Sequence, residues 1–264
     1  MTGEEIPLSD GGTSVSGSVL VGGRVHRSAG FWTLSVHALL EHLAAAGFEG
    51  SPRVVGFDDR GREVLTFVPG ETPLRPWPSW MVSDEALAGV ASLLRRYHDA
   101  VATFPAPPDA RWRRWVGATG GPIIRHGDLW PSNVVFRAGA PVALIDWDFA
   151  QPGTRLDDLV SVAKHWIPLM SDDRATADGW PLPIDRVGRL RLLCDAYGLD
   201  GEDRSVLLAT AVRNASWGYD SHKAWGEAGV PGFAEMWNEG SGPILLGDRA
   251  WLEAACAGLE EFLR

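Results

Sequence analysis

Alternating apolar and polar residues in the first seventy positions predict short β-strands, with one helix among them. Gly22-Gly23 separates two strand segments and is typical of a two-residue β-hairpin. Residues 35–46 carry apolar side chains at helical spacing and are followed by Gly47, a common helix stop. The predicted strands cover residues 15–21, 24–27, 52–57 and 63–68.

Beyond residue 70 the apolar spacing changes to the helical period. Prolines are concentrated between residues 69 and 78, and because proline interrupts both helices and β-ladders, we place a domain boundary there. An isolated strand pair, 134–136 and 142–145, interrupts the helical pattern. We therefore predict an α+β chain with a small sheet lobe over residues 1–70 and a larger helical lobe over residues 71–264. The predicted helices cover residues 84–101, 156–166, 184–197, 204–217 and 247–263.

The overall charge limits the choice of partners. The 264 residues carry a formal net charge of -10, and the pI is near 5.1. An acidic surface disfavours nucleic acids and anionic membranes as partners. The apolar runs are too short to cross a bilayer, and the polar N-terminal segment does not resemble a signal peptide. We expect a cytoplasmic protein that binds neither nucleic acid nor membrane and is by default a monomer.

Candidate catalytic residues surround the isolated strand pair. The loop before its first strand contains Asp128 and ends at Asn133, and Asp146 follows its second strand. A hairpin would place Asn133 opposite Asp146 or one step away, close enough for both side chains to bind one ion. Amide and carboxylate oxygens suit Mg²⁺, which takes few protein ligands together with phosphate oxygens. Asp128 is placed to accept a proton from an attacking hydroxyl.

Taken singly, Asp128, Asn133 and Asp146 are more often turn or strand-end residues than catalytic ones. Together they gather three polar side chains around a buried hairpin, which favours the functional interpretation. The same carboxylates would also serve a metal-dependent phosphohydrolase that uses water as its acceptor.

The motif His126-Gly-Asp, four further residues, Asn and a short hairpin to Ile145-Asp-Trp resembles the catalytic signature of the aminoglycoside phosphotransferase and choline kinase group. The resemblance implies a bilobal, protein-kinase-like fold. It implies that Asp128 is the catalytic base, that Asn133 and Asp146 hold Mg²⁺ against the triphosphate of ATP or GTP, and that His126 supports the loop. It also implies a hydroxyl acceptor on a small molecule, for which an aminoglycoside or amino sugar is the expected class.

Residues around the motif resemble the family as well. Asp148 is expected to assist near the metal ion. One aspartate of Asp157-Asp158 is expected to hydrogen-bond the catalytic loop, and capping of the following helix is the alternative. His98 is interpreted as a packing residue.

Residues 65–71 resemble the hinge between the lobes, where backbone groups bind the adenine ring. Because Pro69 has no N–H, the donor is expected to be Phe67 or Val68.

Two departures from the family concern the nucleotide. The family has a lysine on its third strand, but the first seventy residues contain none, so Arg27 is expected to replace it, with Arg24 as a weaker candidate. The helix position expected to carry the partner glutamate, near Val36 or His37, is not acidic, and residues 11–14 match a phosphate-covering loop only in part. The alternative function is therefore a pseudokinase-like protein that binds nucleotide or ligand without catalysis.

Acidic residues and tryptophans of the helical lobe predict a pocket for a cationic acceptor. The alternative is a solvated acidic face with tryptophans in the core. The residues concerned are Asp172, Asp173, Asp220, Glu235, Glu239, Trp217, Trp225 and Trp237.

Overall fold

The computed structural model describes residues 4–8 and 17–260, and these form an antiparallel sheet part followed by a mainly helical part. Along the chain, helix α1 (Thr33–Ala45) follows the third strand of this sheet and precedes the fourth. The predicted α+β class is therefore confirmed, while the predicted phosphate-covering loop, residues 11–14, lies outside the described residues. In the order β1-β2-β3-β5-β4, the sheet consists of β1 (Ile6–Pro7), β2 (Val19–Val21), β3 (Arg24–Arg27), β4 (Val54–Phe57) and β5 (Glu63–Thr66).

The predicted hairpin at Gly22-Gly23 sets the register of the sheet. Both glycines have positive φ, +56° and +76°, which two-residue hairpins favour and which other residues rarely adopt. Strand β3 then pairs with β5 so that Arg27 lies opposite Glu63. The turn therefore helps to fix the strand position of Arg27.

The second part of the chain contains seven helices and two small strand pairs within the described residues. The helix predicted at residues 204–217 is longer in the structure, where it covers Gly201–Glu227. The two six-residue helices and the pair of three-residue strands were not predicted, because such short segments show no clear apolar pattern. The helices are α2 (Asp84–Val101), α3 (Arg155–Trp166), α4 (Asp172–Ala177), α5 (Arg186–Tyr197), α6 (Gly201–Glu227), α7 (Phe233–Asn238) and α8 (Ser241–Glu260). The strand pairs are β6 (Ile123–Arg125) with β9 (Gln151–Gly153), and β7 (Val134–Arg137) with β8 (Ala140–Leu144).

Helix α2 lies at the centre of the core. The Ser83 hydroxyl caps it by accepting a hydrogen bond from the Ala86 N–H at 3.1 Å. Leu87, Val90 and Leu94 of its apolar face are fully buried, and the helix packs against α5 and β8. The same core cluster includes buried residues of α1, so the sheet part and the helical part share one core.

The segment after β5 is hydrogen-bonded to the helical part. Glu71 and Phe136 exchange two backbone hydrogen bonds, at 2.9 and 2.8 Å. The division into residues 1–70 and 71–264 stays a prediction. In the described ranges, the helices lack the combination of length and apolar character that crossing a membrane requires.

Candidate active site

The β7–β8 hairpin brings Asn133 and Asp146 to one end. Val134 pairs with Leu144, and the Ile145 N–H donates to the Asn133 carbonyl oxygen at 2.9 Å. Asn133 is therefore level with Ile145 and one step from Asp146, within the range that the spacing predicts. Asp146 has a φ of +61°, a conformation that is uncommon outside glycine and often found at functional sites.

Asn133 also holds Asp128, which lies in the loop between β6 and β7. Its Nδ2 donates to the Asp128 carbonyl oxygen at 2.9 Å and to Asp128 Oδ2 at 3.1 Å. Because Nδ2 is used in this way, Oδ1 is the Asn133 atom that suits a cation. Burial, together with the nearby Asp146 carboxylate, raises the pKa of Asp128 to about 8.

Asp158 on α3 anchors the loop that carries Asp128. Its Oδ2 accepts from the His126 N–H at 2.7 Å, and its Oδ1 accepts from the Gly127 N–H at 2.9 Å. Fully buried His98 lies 3.1 Å from Oδ2 through Nε2. Burial opposes the charge of Asp158, but the hydrogen bond from His98 and its positive neighbours keep the pKa of the carboxyl below its ordinary value. The neighbouring Asp157 instead forms the capping box of α3. Of the two alternatives for this pair, hydrogen bonding to the loop therefore applies to Asp158, and helix capping applies to Asp157.

His126 and Gly127 shape the loop itself. His126 Nε2 lies 3.0 Å from the Ile145 carbonyl oxygen, and the Asp128 N–H donates to His126 Nδ1 at 3.3 Å, an arrangement that suits the neutral ring. Burial lowers the pKa of His126. Gly127 has a φ of +81°, and a Cβ at this position would collide with the Phe149 carbonyl oxygen. Only glycine fits there.

We expect Asp158→Ala to lower the free energy of unfolding by about 3 kcal/mol or more. The change leaves two backbone N–H groups and the His98 ring buried without their acceptor, and each unsatisfied group costs about 1–3 kcal/mol. Urea denaturation followed by circular dichroism measures the loss. Asp220→Ala, at an exposed position of α6, is the control. Equal stability of the two variants would contradict the anchoring role.

Arg27 is buried at the end of β3 and contacts three carboxylates. Its Nε pairs closely with Glu63, Nη1 donates to Asp146 Oδ1 at 2.9 Å, and Nη2 donates to Asp148 Oδ1 at 2.6 Å. Burial opposes the positive charge, but the three carboxylates hold the pKa of the guanidinium above its ordinary value. A lysine ammonium has no planar fork and could not reach all three in this geometry. Arg24, the weaker candidate, is exposed on the same strand.

Glu63 supplies the acidic partner that α1 lacks. Its side chain is 1% exposed, and its two oxygens contact Arg27 and, at 2.8 Å, His37 Nε2 on α1. Strand β3 is thus linked to α1 through a carboxylate on β5 and a histidine on the helix. The sequence analysis did not predict that Glu63 is the acidic partner of Arg27, although pairing β3 with β5 would have aligned the two residues.

A cavity of about 1300 Å³ opens onto these groups. It extends from the sheet to α8 and has space for a nucleotide and a second molecule. The predicted site residues Arg27, Phe67, Val68, Asp128, Asn133 and Asp146 all line it, as does Asp148.

The residues predicted for a cationic acceptor do not gather in this cavity. Of the eight, Trp217 and Glu239 line its wall. Asp172 pairs with Arg186 at 2.8 Å, and Trp225 packs edge-on against Phe233. The acidic residues are dispersed because they belong to three different helices or to the ends of these helices, α4, α6 and α7.

Arg113, which the sequence analysis missed, lies before β6 and near the candidate catalytic carboxylates. Its guanidinium carbon is 4.9 Å from the Trp32 ring centre and 4.6 Å from that of Phe149. Among the described residues it forms neither a hydrogen bond nor an ion pair. The three nearby carboxylates whose charges act on it are Asp128, Asp146 and Asp148. The signal in the sequence was the run of arginine and tryptophan between residues 111 and 115.

The oxygen donors fit a hard divalent cation such as Mg²⁺. Asn133 Oδ1 and the Asp146 carboxylate, whose side chain is 34% exposed, are the candidate ligands. Burial raises the pKa of Asp148 to about 6, while Arg27 acts in the opposite direction and the Asp146 carboxylate adds to the increase. Within residues 4–8 and 17–260 no group of three or more His, Cys, Asp or Glu residues is arranged to hold a metal ion. A cation here would therefore complete its ligands with phosphate or water oxygens.

The family model described as the phosphotransferase enzyme family matches residues 106–190, which contain the catalytic loop, the hairpin and Asp158. The trifolitoxin immunity protein of Rhizobium leguminosarum bv. trifolii is 38% identical over 268 residues, covering 96% of this chain and 99% of that protein. The chain belongs to the phosphotransferase enzyme family.

Solved structures confirm the protein-kinase-like fold of this family member. A choline/ethanolamine kinase family protein from Mesorhizobium loti superposes with a TM-score of 0.59 at 14% identity, over 95% of this chain and 92% of that one. The GDP complex of wild-type aminoglycoside 2'-phosphotransferase-IIIa also gives 0.59 at 14% identity, over 95% and 93%. At such identities the likeness concerns the fold alone.

Proposed function

We propose that this chain transfers the γ-phosphate of ATP or GTP to a hydroxyl group of a small molecule, with Mg²⁺ as cofactor. One observation carries the proposal. Asp128, Asn133 and Asp146 converge in a single loop and hairpin at the wall of a cavity that has space for both substrates. A proton acceptor beside two metal-binding oxygens is the minimum that such a transfer requires.

Each residue has a defined part in the proposed reaction. Asp128 accepts the proton of the acceptor hydroxyl, and Asn133 fixes its carboxylate through the 3.1 Å hydrogen bond. Asn133 and Asp146 hold Mg²⁺, which neutralises phosphate charge when bound. Phe67 or Val68 bonds the base of the nucleotide.

The two arginines differ in their proposed parts. Three of the N–H groups of Arg27 hold Glu63, Asp146 and Asp148, and its remaining N–H groups are directed to phosphate. Arg113 has no such partner among the described residues, so its charge is available to the phosphoryl group in transit.

The second candidate is a protein of the same fold that binds nucleotide or ligand without catalysis. The contact that favours it is the 2.9 Å hydrogen bond from Arg27 to Asp146 Oδ1, since this oxygen belongs to the proposed metal ligand. The partly buried position of Asp128, held by Asn133, favours catalysis instead, because binding alone does not need a base there.

A relative suggests a biological role, and the family resemblance suggests a class of acceptor. The 38% identical relative is an immunity protein against trifolitoxin, so we propose protection against a toxin as the role, through phosphorylation of a toxin hydroxyl. An aminoglycoside or amino sugar, the class that the family resemblance implies, is the competing acceptor.

A transfer assay tests the function. The purified chain is incubated with Mg²⁺ and ATP or GTP, alone and with amino sugars, aminoglycosides, choline-like alcohols, hydroxy acids and neutral sugars. We expect mass spectrometry to show the gain of one phosphoryl group on an acceptor, dependent on Mg²⁺. Magnesium-dependent nucleotide binding without any transfer would favour the binding protein. Absence of nucleotide binding would contradict both candidates.

A further inference from the structure

The cavity holds more positive charge than the composition of the chain predicts. Apart from the residues with proposed parts in the transfer (Arg27, Arg113, Asp128, Asp146 and Asp148), four cationic and three acidic side chains of the described residues line it. The chain has a net charge of -10, so composition alone would predict more acids than cations. The cations are Arg75, Arg125, Lys164 and Arg174, and the acids are Asp157, Glu239 and Asp248.

Three of these cations, Arg75, Lys164 and Arg174, form a cluster beside the catalytic loop. Arg75 and Arg174 both approach Asp178, with Nη2 to Oδ2 distances of 3.3 and 3.7 Å. The Arg75 guanidinium carbon lies 4.6 Å from the ring centre of Trp130, two residues after Asp128. The cluster is therefore adjacent to the loop that carries the proposed base.

The positive charge of the cluster is incompletely neutralised within the protein. Lys164 forms no hydrogen bond or ion pair with any residue in the described ranges, and the Arg174 Nε is buried without a partner. The acid that acts most strongly on Lys164 is Asp248, and burial raises the pKa of that carboxyl. Lys164 is partly buried, and a cation in such a position is costly without a partner, which points to a ligand that supplies the missing charge.

His165 reports the same positive environment. Its ring stacks on Trp130 at 4.0 Å, and it lies next to Lys164 in α3. Burial lowers the pKa of His165, and the charges of Lys164, Arg75 and Arg174 lower it further. The neutral form of the ring is therefore favoured, and His165 itself adds no positive charge to the cluster.

Apolar side chains cover the wall near the cluster. Leu169 and Met170, from the segment between α3 and α4, and Ile244 and Leu245 of α8 line the cavity. A ligand that fits here has an apolar body and a negatively charged group.

We propose that the Arg75–Lys164–Arg174 cluster binds an anionic group of the acceptor, so that the substrate is a hydroxylated carboxylate and not a polycationic amino sugar. Ammonium groups of an amino sugar would meet three cations at this end of the cavity, and like charges in a low-dielectric site repel strongly. The inference rests on the proposed function only in calling this ligand the acceptor.

The small number of lysines permits a direct test in the intact chain. Lys164 and Lys223 are the two lysines of the sequence. Reductive methylation with ¹³C-formaldehyde gives each an NMR signal, assigned with Lys164→Arg and Lys223→Arg. The probes are 3-hydroxyoctanoate and 3-phenyllactate, which combine a hydroxyl and a carboxylate with an apolar body, compared with glucosamine. We expect at least one acid to shift the Lys164 signal saturably without shifting Lys223, and glucosamine to shift neither.

Affinity of the unmethylated protein gives the second readout. Lys164→Met and Arg174→Gln are expected to weaken binding of the acid by about tenfold or more, because each removes a charge-assisted hydrogen bond. Lys223→Met, at an exposed position of α6, should leave it unchanged. Circular dichroism verifies that each variant is folded.

The outcomes separate this inference from the proposed function. No shift of Lys164 with either acid, tighter binding of glucosamine than of the acids, or unchanged affinity in both Lys164→Met and Arg174→Gln overturns the anion site. Binding of Mg²⁺·ATP is measured in the same samples. Its absence would contradict the kinase proposal, while acid binding at Lys164 would still support an anion site.

Discussion

Asp128→Asn is expected to reduce the rate of phosphate transfer by about 10²- to 10⁴-fold, the usual contribution of a general base. The asparagine keeps the shape of the side chain and can still bond Asn133, but it cannot accept the proton of the acceptor. Nucleotide binding should be nearly unchanged, because the proposed metal ligands are Asn133 and Asp146. Turnover is measured by mass spectrometry, and nucleotide affinity by calorimetry with Mg²⁺.

Asp109→Asn is the matched control for this variant, since Asp109 is exposed and lies in the segment before β6. It should retain the activity of the unchanged chain. Normal turnover in Asp128→Asn would remove Asp128 from the role of base. A loss of nucleotide affinity equal to the loss of turnover would indicate that Asp128 binds the metal ion instead.

Arg27→Met is expected to lower the free energy of unfolding by about 3–5 kcal/mol, the cost of removing one partner from a buried ion pair. Glu63 would keep His37 but lose its cation, and Asp146 and Asp148 would repel each other without the charge between them. Nucleotide affinity should fall as well, because the metal ligand loses its support. Denaturant unfolding and calorimetry measure the two effects.

Two further variants test the arginine itself. Arg24→Met changes an exposed arginine of the same strand and should leave stability within about 0.5 kcal/mol of the unchanged chain. Arg27→Lys restores the residue that the family carries and should be intermediate, because an ammonium keeps the charge but lacks the fork. Equal stability of Arg27→Met and Arg24→Met would show that the three-carboxylate contact contributes nothing.

The catalytic hairpin was accessible to sequence reasoning because its geometry is local. A short loop between two apolar runs fixes which ends meet, and the structure places Asn133 one step from Asp146. The same holds for the Gly22-Gly23 turn and for α2, whose cap and apolar stripe are contiguous in sequence. In these cases the residues that interact are near neighbours along the chain.

The contact between Arg27 and Glu63 was not predicted, because the two residues are distant in sequence. The family resemblance predicts the acidic partner on α1, whereas the carboxylate that pairs with Arg27 lies on β5 and His37 occupies the helix position. The separation in sequence between Arg27 and Glu63 is bridged by strand pairing that skips β4. Such pairing joins strands that are distant in sequence, so no local pattern encodes it.

Short-range spacing and apolar periodicity were enough to predict the family-type motif, the two-part α+β architecture and the candidate residues of the loop between β6 and β7. The charge at the end of the cavity proposed for the acceptor depends instead on the tertiary structure. Arg75, Lys164 and Arg174 come from a proline-rich segment, α3 and α4, and the acidic residues of the sequence lie mostly elsewhere. Which charges face a cavity is set by the packing of distant elements, and net charge carries no information about that arrangement.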